Sequence, residues 1–209
     1  LSVDLDISGL LPKARPLLVI ISGPSGVGKD AILARMRKLG GHLHVTVTAT
    51  TRLPRPGERD GVDYHFIPPE RFQAMIAAGE LLEWAQVYGN WYGVPKDQVK
   101  QALARGQDVI IKTDVQGAAT IKGILPQAIF IFIAPCSFHE LEERLKQRHR
   151  ESGFDLGLRL ATAREELKRL PMFDYVVLNP QGQLEVAIRH IRSIIEAEKS
   201  RVNPRLVEL

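Results

Sequence analysis

Residues 17–36, Leu-Leu-Val-Ile-Ile-Ser-Gly-Pro-Ser-Gly-Val-Gly-Lys-Asp-Ala-Ile-Leu-Ala-Arg-Met, decide the fold. The apolar run Leu17–Ile21 predicts a buried strand, and Ala31–Met36 predicts a helix. Between them, residues 23–30 nearly spell a phosphate-binding P-loop in its required strand–loop–helix setting. Gly23, Gly26 and Gly28 let the backbone around Pro24, Ser25 and Val27 curl until its N–H groups face inward. The start of the helix adds a partial positive charge, and Lys29 is placed to reach the outer phosphates of a nucleoside triphosphate. An ordinary glycine-rich strand–helix turn is the plain alternative. It leaves the spacing of the lysine and the outer glycines without a reason. Asp30 breaks the pattern, because a P-loop normally has a Ser or Thr hydroxyl there as a neutral Mg²⁺ ligand. A carboxylate also suits a hard cation, but it adds negative charge beside the triphosphate.

The chain of 209 residues suits one α/β domain with an inserted lobe, and its 44% hydrophobic content supplies a packed core. No apolar run approaches the roughly 20 residues that cross a bilayer, which argues against a membrane partner. The first residues, Leu1-Ser2-Val3-Asp4-Leu5-Asp6, lack the basic start of a secretion signal. Cys136 is the single cysteine, which fits a reducing cytoplasm, and beside Pro135 at a strand end it reads as a small packed residue. The net charge of +4 is mild and no aromatic-interleaved basic stripe is present, so nucleic acid is not an expected partner. The arginines gather instead in segments 52–59 and 144–169, a distribution that suits compact phosphate ligands.

Along the chain, Val45–Thr48 predicts a short strand running into a proline-stiffened loop at 50–58. Strands are expected at Asp63–Ile67 and about 81–88, with a short helix from Pro69 to Ala77 between them. This β-rich stretch, about 48–94, reads as a lobe inserted into an α/β core made of about 17–47, 95–135 and 170–200. In the core, a helix from Pro95 to Arg105 precedes a strand at 108–111, a helix at 115–122 and a strand at 128–133. Helices at about 137–150 and 155–169, a strand at 175–178 and a helix at 183–200 complete it. Strands alternating with helices mean a mostly parallel sheet covered on both faces.

Several side chains on this frame carry chemistry. Asp114, after an apolar strand, reads either as a helix N-cap or as the acidic residue that orients Mg²⁺ beside a P-loop. Arg52 and Arg55 sit on one stiff loop, where two guanidinium forks can clamp a phosphate. Tyr64 and Tyr92 are either half-buried packing or further hydroxyl donors. Glu83 is a solvated strand residue or a buried carboxylate that accepts two N–H groups from a planar base. Arg144 and Arg148 share a helix face, either solvated or turned to phosphate.

Together, Gly-Pro-Ser-Gly-Val-Gly-Lys (23–29), Thr-Ala-Thr-Thr-Arg-Leu-Pro-Arg-Pro-Gly-Glu (48–58), Gly-Val-Asp-Tyr-His-Phe (61–66), Glu-Trp-Ala (83–85), Tyr-Gly-Asn-Trp-Tyr-Gly (88–93) and Asp-Val-Gln-Gly-Ala (114–118) resemble the guanylate kinases, over about residues 17–200. The resemblance implies a P-loop core sheet, a β-rich GMP-binding lobe and a helical LID at about 137–169, in a single domain spanning 1–209. It implies transfer of the γ-phosphoryl of ATP to GMP, and to dGMP, with Mg²⁺. It assigns the GMP phosphate to Arg52, Arg55, Tyr64 and Tyr92, the guanine to Glu83 and Thr48, and a place between base and metal to Asp114. Arg144, Arg148 and Arg159 match arginines that close over the phosphates, and Asn179 matches a position near adenine.

Three positions depart from the family pattern: Asp30, Val94 in place of a Ser or Thr that touches guanine, and Lys112 in place of the first Asp of Asp-x-Asp. Asp30 and Lys112 are expected to compensate each other. Two rival readings stand beside the kinase. A scaffold-type guanylate-kinase-like module is disfavoured by the retained Lys29, and a ribose bisphosphate kinase, which also tolerates Gly-Lys-Asp, has no use for the 48–58 pattern.

Overall fold

The computed structural model describes residues 15–40, 42–87, 89–152 and 155–209, with 148–152 as backbone only. The strands are β1 Leu18–Ser22, β2 Leu43–Val45, β3 Ala49–Thr50, β4 His65–Phe66, β5 Leu81–Val87, β6 Asn90–Pro95, β7 Asp108–Lys112, β8 Ile129–Ala134 and β9 Tyr175–Leu178. The helices are α1 Lys29–Leu39, α2 Pro69–Ala77, α3 Lys96–Ala104, α4 Val115–Ile124, α5 Phe138–Ser152, α6 Leu156–Lys168 and α7 Leu184–Lys199. Five strands form a parallel sheet in the order β2-β7-β1-β8-β9.

The apolar runs are continuous because both faces of this sheet are covered. In β1, Val19 and Ile21 pack with α1, α5, α6 and α7, while Leu18 and Ile20 pack with α3 and α4. β7 and β8 alternate in the same way, with Ile110 and Ile131 on the first face and Ile111 and Phe130 on the second. Each such side chain, taken fully out of water, contributes about 1.5–3 kcal/mol before entropy is counted. β1 therefore lies in the middle of the sheet, and its C-terminal end, where the P-loop begins, sits beside the ends of β7 and β8. Open α/β sheets bind ligands at this edge.

A second, four-stranded sheet has the order β4-β3-β6-β5. The expected strand at 45–48 does not form: only Val45 belongs to a strand, the end of β2, and the chain joins the second sheet at Ala49. Its backbone leaves β2 at Thr46, and the amide of Gln98 then holds both the N–H and the C=O of Val47, each at 2.9 Å. The expected strand 63–67 is shorter, because carboxylates take backbone donors around it: Asp63 accepts from Arg59 N at 2.8 Å and Asp60 from Phe66 N at 2.9 Å. The β5–β6 pairing shifts register between Leu81 and Trp84, so Leu81, Leu82 and Glu83 are buried in succession. That irregularity turns Glu83 toward the start of α4 instead of solvent.

Cys136 corrects an expectation: it is exposed, not packed. It lies past the end of β8, and its N–H bonds Glu140 Oε2 at 3.2 Å as α5 begins. Among the described residues no helix is long and apolar enough to cross a membrane.

Candidate active site

The P-loop has the geometry of an anion cradle. Gly28 has φ of 100°, and a Cβ there would lie 2.5 Å from Asn179 Nδ2. At Gly23 a Cβ would lie 2.2 Å from Ile133 O, so the loop closes against the end of β8. Lys29 Nζ donates to the carbonyls of Gly23 and of Pro24, the latter at 3.1 Å. Burial pushes the Lys29 pKa down, opposed by Glu166 and Asp30, so an anion placed in the loop would restore the environment that its charge needs. Glu166 arrives from α6 and accepts the Ser25 N–H at 3.2 Å, while Arg159 Nη1 donates to Ser25 Oγ at 3.0 Å. Burial holds the Glu166 pKa above the usual carboxylate range.

A cavity of about 720 Å³ runs from this loop into the second sheet. Its walls include Ser25 through Asp30 at one end, Thr48, Arg52, Arg55, Tyr64, Glu83 and Tyr92 at the other, and Asp114, Arg144 and Arg159 between or above. Most of the sequence-predicted site residues thus meet in one space.

Three of the described ones are placed differently, and a fourth, Arg148 on α5, has a side chain that lies outside the described residues. Gly23 and Pro24 serve as the floor that receives Lys29. Asn179 is buried behind the loop, where its Nδ2 donates to Val27 O at 2.8 Å. Arg144 links these parts, donating to Val27 O at 3.0 Å, to Asn179 O at 2.7 Å and to Glu140.

At the far end, Thr48 Oγ1 is buried with no hydrogen-bond partner among the described residues, although Thr48 lines the cavity. An orphaned buried hydroxyl at a cavity wall is a ready partner for a ligand. Close by, the Glu83 carboxylate is 5% exposed and accepts from Thr113 Oγ1 at 3.0 Å. Burial first, then the Asp114 charge, push its pKa up to about 7, against the Thr113 bond. Asp114 caps α4, as one of its two readings expected, by accepting Gly117 N–H at 2.7 Å, and it also lines the cavity. A Cβ at Gly117 would lie 2.1 Å from Thr113 Oγ1 and 2.7 Å from Glu83 Oε2, so only glycine leaves this carboxylate its seat. Val94 is fully buried in the core with Leu18 and Val99 and contributes no polar group.

The arginine loop is prearranged. Arg52 Nη2 reaches both oxygens of Glu58 at 2.9 Å, and Glu58 also accepts Arg55 N–H at 2.7 Å. The Arg52 guanidinium lies 5.4 Å from the centroid of the Tyr64 ring, which meets Tyr92 edge-on at 6.0 Å.

The expected compensation between the two departures is present as an ion pair, Lys112 Nζ to Asp30 Oδ1 at 2.6 Å. Lys112 also donates to Tyr64 Oη at 2.8 Å. Burial works against its charge, yet Asp30 and Tyr64 outweigh that and hold its pKa above the ordinary value. For a divalent cation, no group of three or more His, Cys, Asp or Glu is preassembled among the described residues. Asp30 and Asp114 still offer hard oxygens to the P-loop end of the cavity, and Mg²⁺ is commonly held by one or two carboxylates plus substrate phosphates. The donor set fits that mode.

A parallel sheet with a lysine-bearing P-loop at its C-terminal edge, opening on a cavity ringed by arginines, defines a P-loop protein built for phosphorylated ligands. Comparison with known proteins takes this further. The sequence profile described as guanylate kinase matches residues 14–198. The chain is 48% identical over 201 residues to guanylate kinase 2, chloroplastic/mitochondrial, of Oryza sativa subsp. japonica, covering 96% of this chain and 70% of that one. It is 45% identical over 194 residues to the guanylate kinase of Carboxydothermus hydrogenoformans, covering 91% and 94%. The crystal structure of guanylate kinase from Anaplasma phagocytophilum superposes with a TM-score of 0.73 at 30% identity, over 92% of this chain and 90% of that one. The chain belongs to the guanylate kinase family.

Proposed function

We propose that this chain transfers the γ-phosphoryl group of ATP to GMP, and to dGMP, giving ADP and GDP, and that its cavity divides between the two nucleotides. One observation carries the division: a buried carboxylate and an orphaned hydroxyl, Glu83 and Thr48, face the same cavity as the P-loop lysine. Guanine offers N1–H and a 2-amino group to a carboxylate, and adenine offers neither. A site built around Glu83 rejects AMP because the buried acceptor is left unpaired.

In this reading the P-loop residues Gly23 to Asp30 hold the ATP phosphates, with Asn179 supporting the loop from behind. Arg52, Arg55, Tyr64 and Tyr92 hold the GMP phosphate, and Asp114 stands between guanine and metal. The stretch of about 48–94 is the GMP-binding lobe, about 137–169 is the LID, and about 17–47, 95–135 and 170–200 form the core of the single domain. A GMP phosphate oxygen, already anionic, attacks the γ-phosphorus, forming one P–O bond as the bond to the ADP oxygen breaks. No protein base is required. Lys29, Arg144, Arg148 and Arg159, with Arg52 on the acceptor, align the reactants and neutralise the charge that spreads over the transferred group. Mg²⁺, held by the triphosphate with Asp30 and Asp114, supplies further charge neutralisation when bound. Closure of the LID arginines excludes water, so ATP is not wasted on hydrolysis. The exposed, unpaired Cys136 supports a reducing compartment such as the cytoplasm.

ADP release with ATP and Mg²⁺ tests the reading, with GMP, dGMP, AMP, UMP and ribose 1,5-bisphosphate offered in turn. The expected result is turnover with GMP and dGMP alone. Tight GMP binding without turnover would instead mark a binding module, and ribose bisphosphate turnover a different kinase.

A further inference from the structure

Lys112 stands at the end of β7 and touches both halves of the cavity. Its Nζ donates to Asp30 Oδ1, at the first turn of α1, at 2.6 Å, and to Tyr64 Oη, on the loop before β4, at 2.8 Å. The side chain is 15% exposed and its ammonium lies 4.2 Å from the Tyr64 ring centroid. An ammonium has only protons to give, so the Tyr64 oxygen must accept in this bond. The phenol's own proton is then turned away from Lys112. Tyr64 lines the cavity together with Arg52 and Arg55, the cationic end. There, a hydroxyl with one lone pair already occupied is biased to act as a donor.

We propose that Lys112 is a positioning residue for the acceptor phosphate: anchored by Asp30, it occupies a Tyr64 lone pair and so commits the Tyr64 hydroxyl to donate to that phosphate. This rests on the reading that Tyr64 faces the GMP phosphate. Asp30 thereby acts on GMP from the P-loop, and the two departures from the family pattern form one device with Tyr64. The ion pair alone would not require the second contact to Tyr64.

Calorimetric titration of GMP and of guanosine into the full chain, without ATP or metal, tests this with no recourse to activity. Lys112→Met is expected to weaken GMP binding about tenfold, the scale of one charge-assisted hydrogen bond, and to leave guanosine binding unchanged. Tyr64→Phe should weaken GMP similarly, and the double variant should be no worse than Tyr64→Phe alone. Asp30→Ser should weaken GMP in the same direction, and Lys112→Arg, which keeps the donors, should recover most of the affinity. Urea unfolding identifies any variant that has lost its fold, in which case the Arg and Ser variants carry the comparison. Unchanged GMP affinity in Lys112→Met, equal losses for GMP and guanosine, or additive losses in the double variant would each overturn the proposal. Failure of the unmodified chain to bind GMP would overturn the underlying reading and this one with it; GMP binding intact there but insensitive to Lys112 overturns this one alone.

Discussion

Replacing Glu83 with Gln should make the protein more stable at pH 8 while removing its guanine recognition. The Glu83 pKa rises from 4.5 to about 7 because burial, and then Asp114, disfavour the ionised form, with the Thr113 bond opposing. A group whose folded pKa is raised contributes stability that is fully present below pH 4.5 and is lost as the pH rises through about 7. The shift corresponds to about 3 kcal/mol. Glutamine keeps the shape and an acceptor for Thr113 Oγ1 but carries no charge, so that loss should vanish. Urea unfolding at pH steps from 4.5 to 8 would measure it, as the difference between the two proteins so that other carboxylates cancel. The difference should grow with pH toward about 3 kcal/mol in favour of Glu83→Gln. GMP binding should move the opposite way. Only about a tenth of Glu83 is ionised at pH 6 and about nine-tenths at pH 8, so this group alone should weaken GMP about tenfold on acidification. In Glu83→Gln only the titration of the GMP phosphate remains, on a much weaker baseline. Parallel stability curves for the two proteins, or a variant less stable at pH 8, would refute the reasoning.

Other consequences are more local. Gly117→Ala places a Cβ within 2.1 Å of Thr113 Oγ1 and 2.7 Å of Glu83 Oε2, so GMP affinity should fall at least about tenfold while ATP affinity holds, as read by separate titrations. Asn179→Ala removes the 2.8 Å bond to Val27 O and the wall behind Gly28, and should cost about 1 kcal/mol in urea unfolding and raise the ATP dissociation constant without altering that for GMP.

The parts of this site that the sequence made legible are local in the chain. The P-loop is contiguous, its glycines have positive φ, and its lysine folds onto its own loop. Continuous apolar runs marked strands covered on both faces, and the arginine loop announced itself by its prolines and by Glu58 at its end. What stayed hidden depends on pairings across long separations. Lys112 reaches Tyr64 across 48 residues, and Glu166 reaches Ser25 across 141. The reversed charge at Lys112 and the odd Asp30 did signal each other, because adjacent sites can exchange compensating charges, but nothing in the sequence tied Tyr64 to them. Asn179 is expected near adenine, and only the packing shows that its Nδ2 also bonds Val27 O behind the loop. The strand expected at 45–48 failed because Gln98, a side chain from α3, satisfies Val47 in place of a neighbouring strand.

One cavity is expected to hold a triphosphate at the P-loop and a guanine against Glu83. An adenosine and a guanosine joined 5′ to 5′ through a five-phosphate bridge would test it most directly, as an inhibitor of ADP release at varied ATP and varied GMP. Competition with both substrates is expected, and loss of the competition with GMP in Glu83→Gln. Competition with ATP alone would contradict it, since the guanine end would then lie elsewhere.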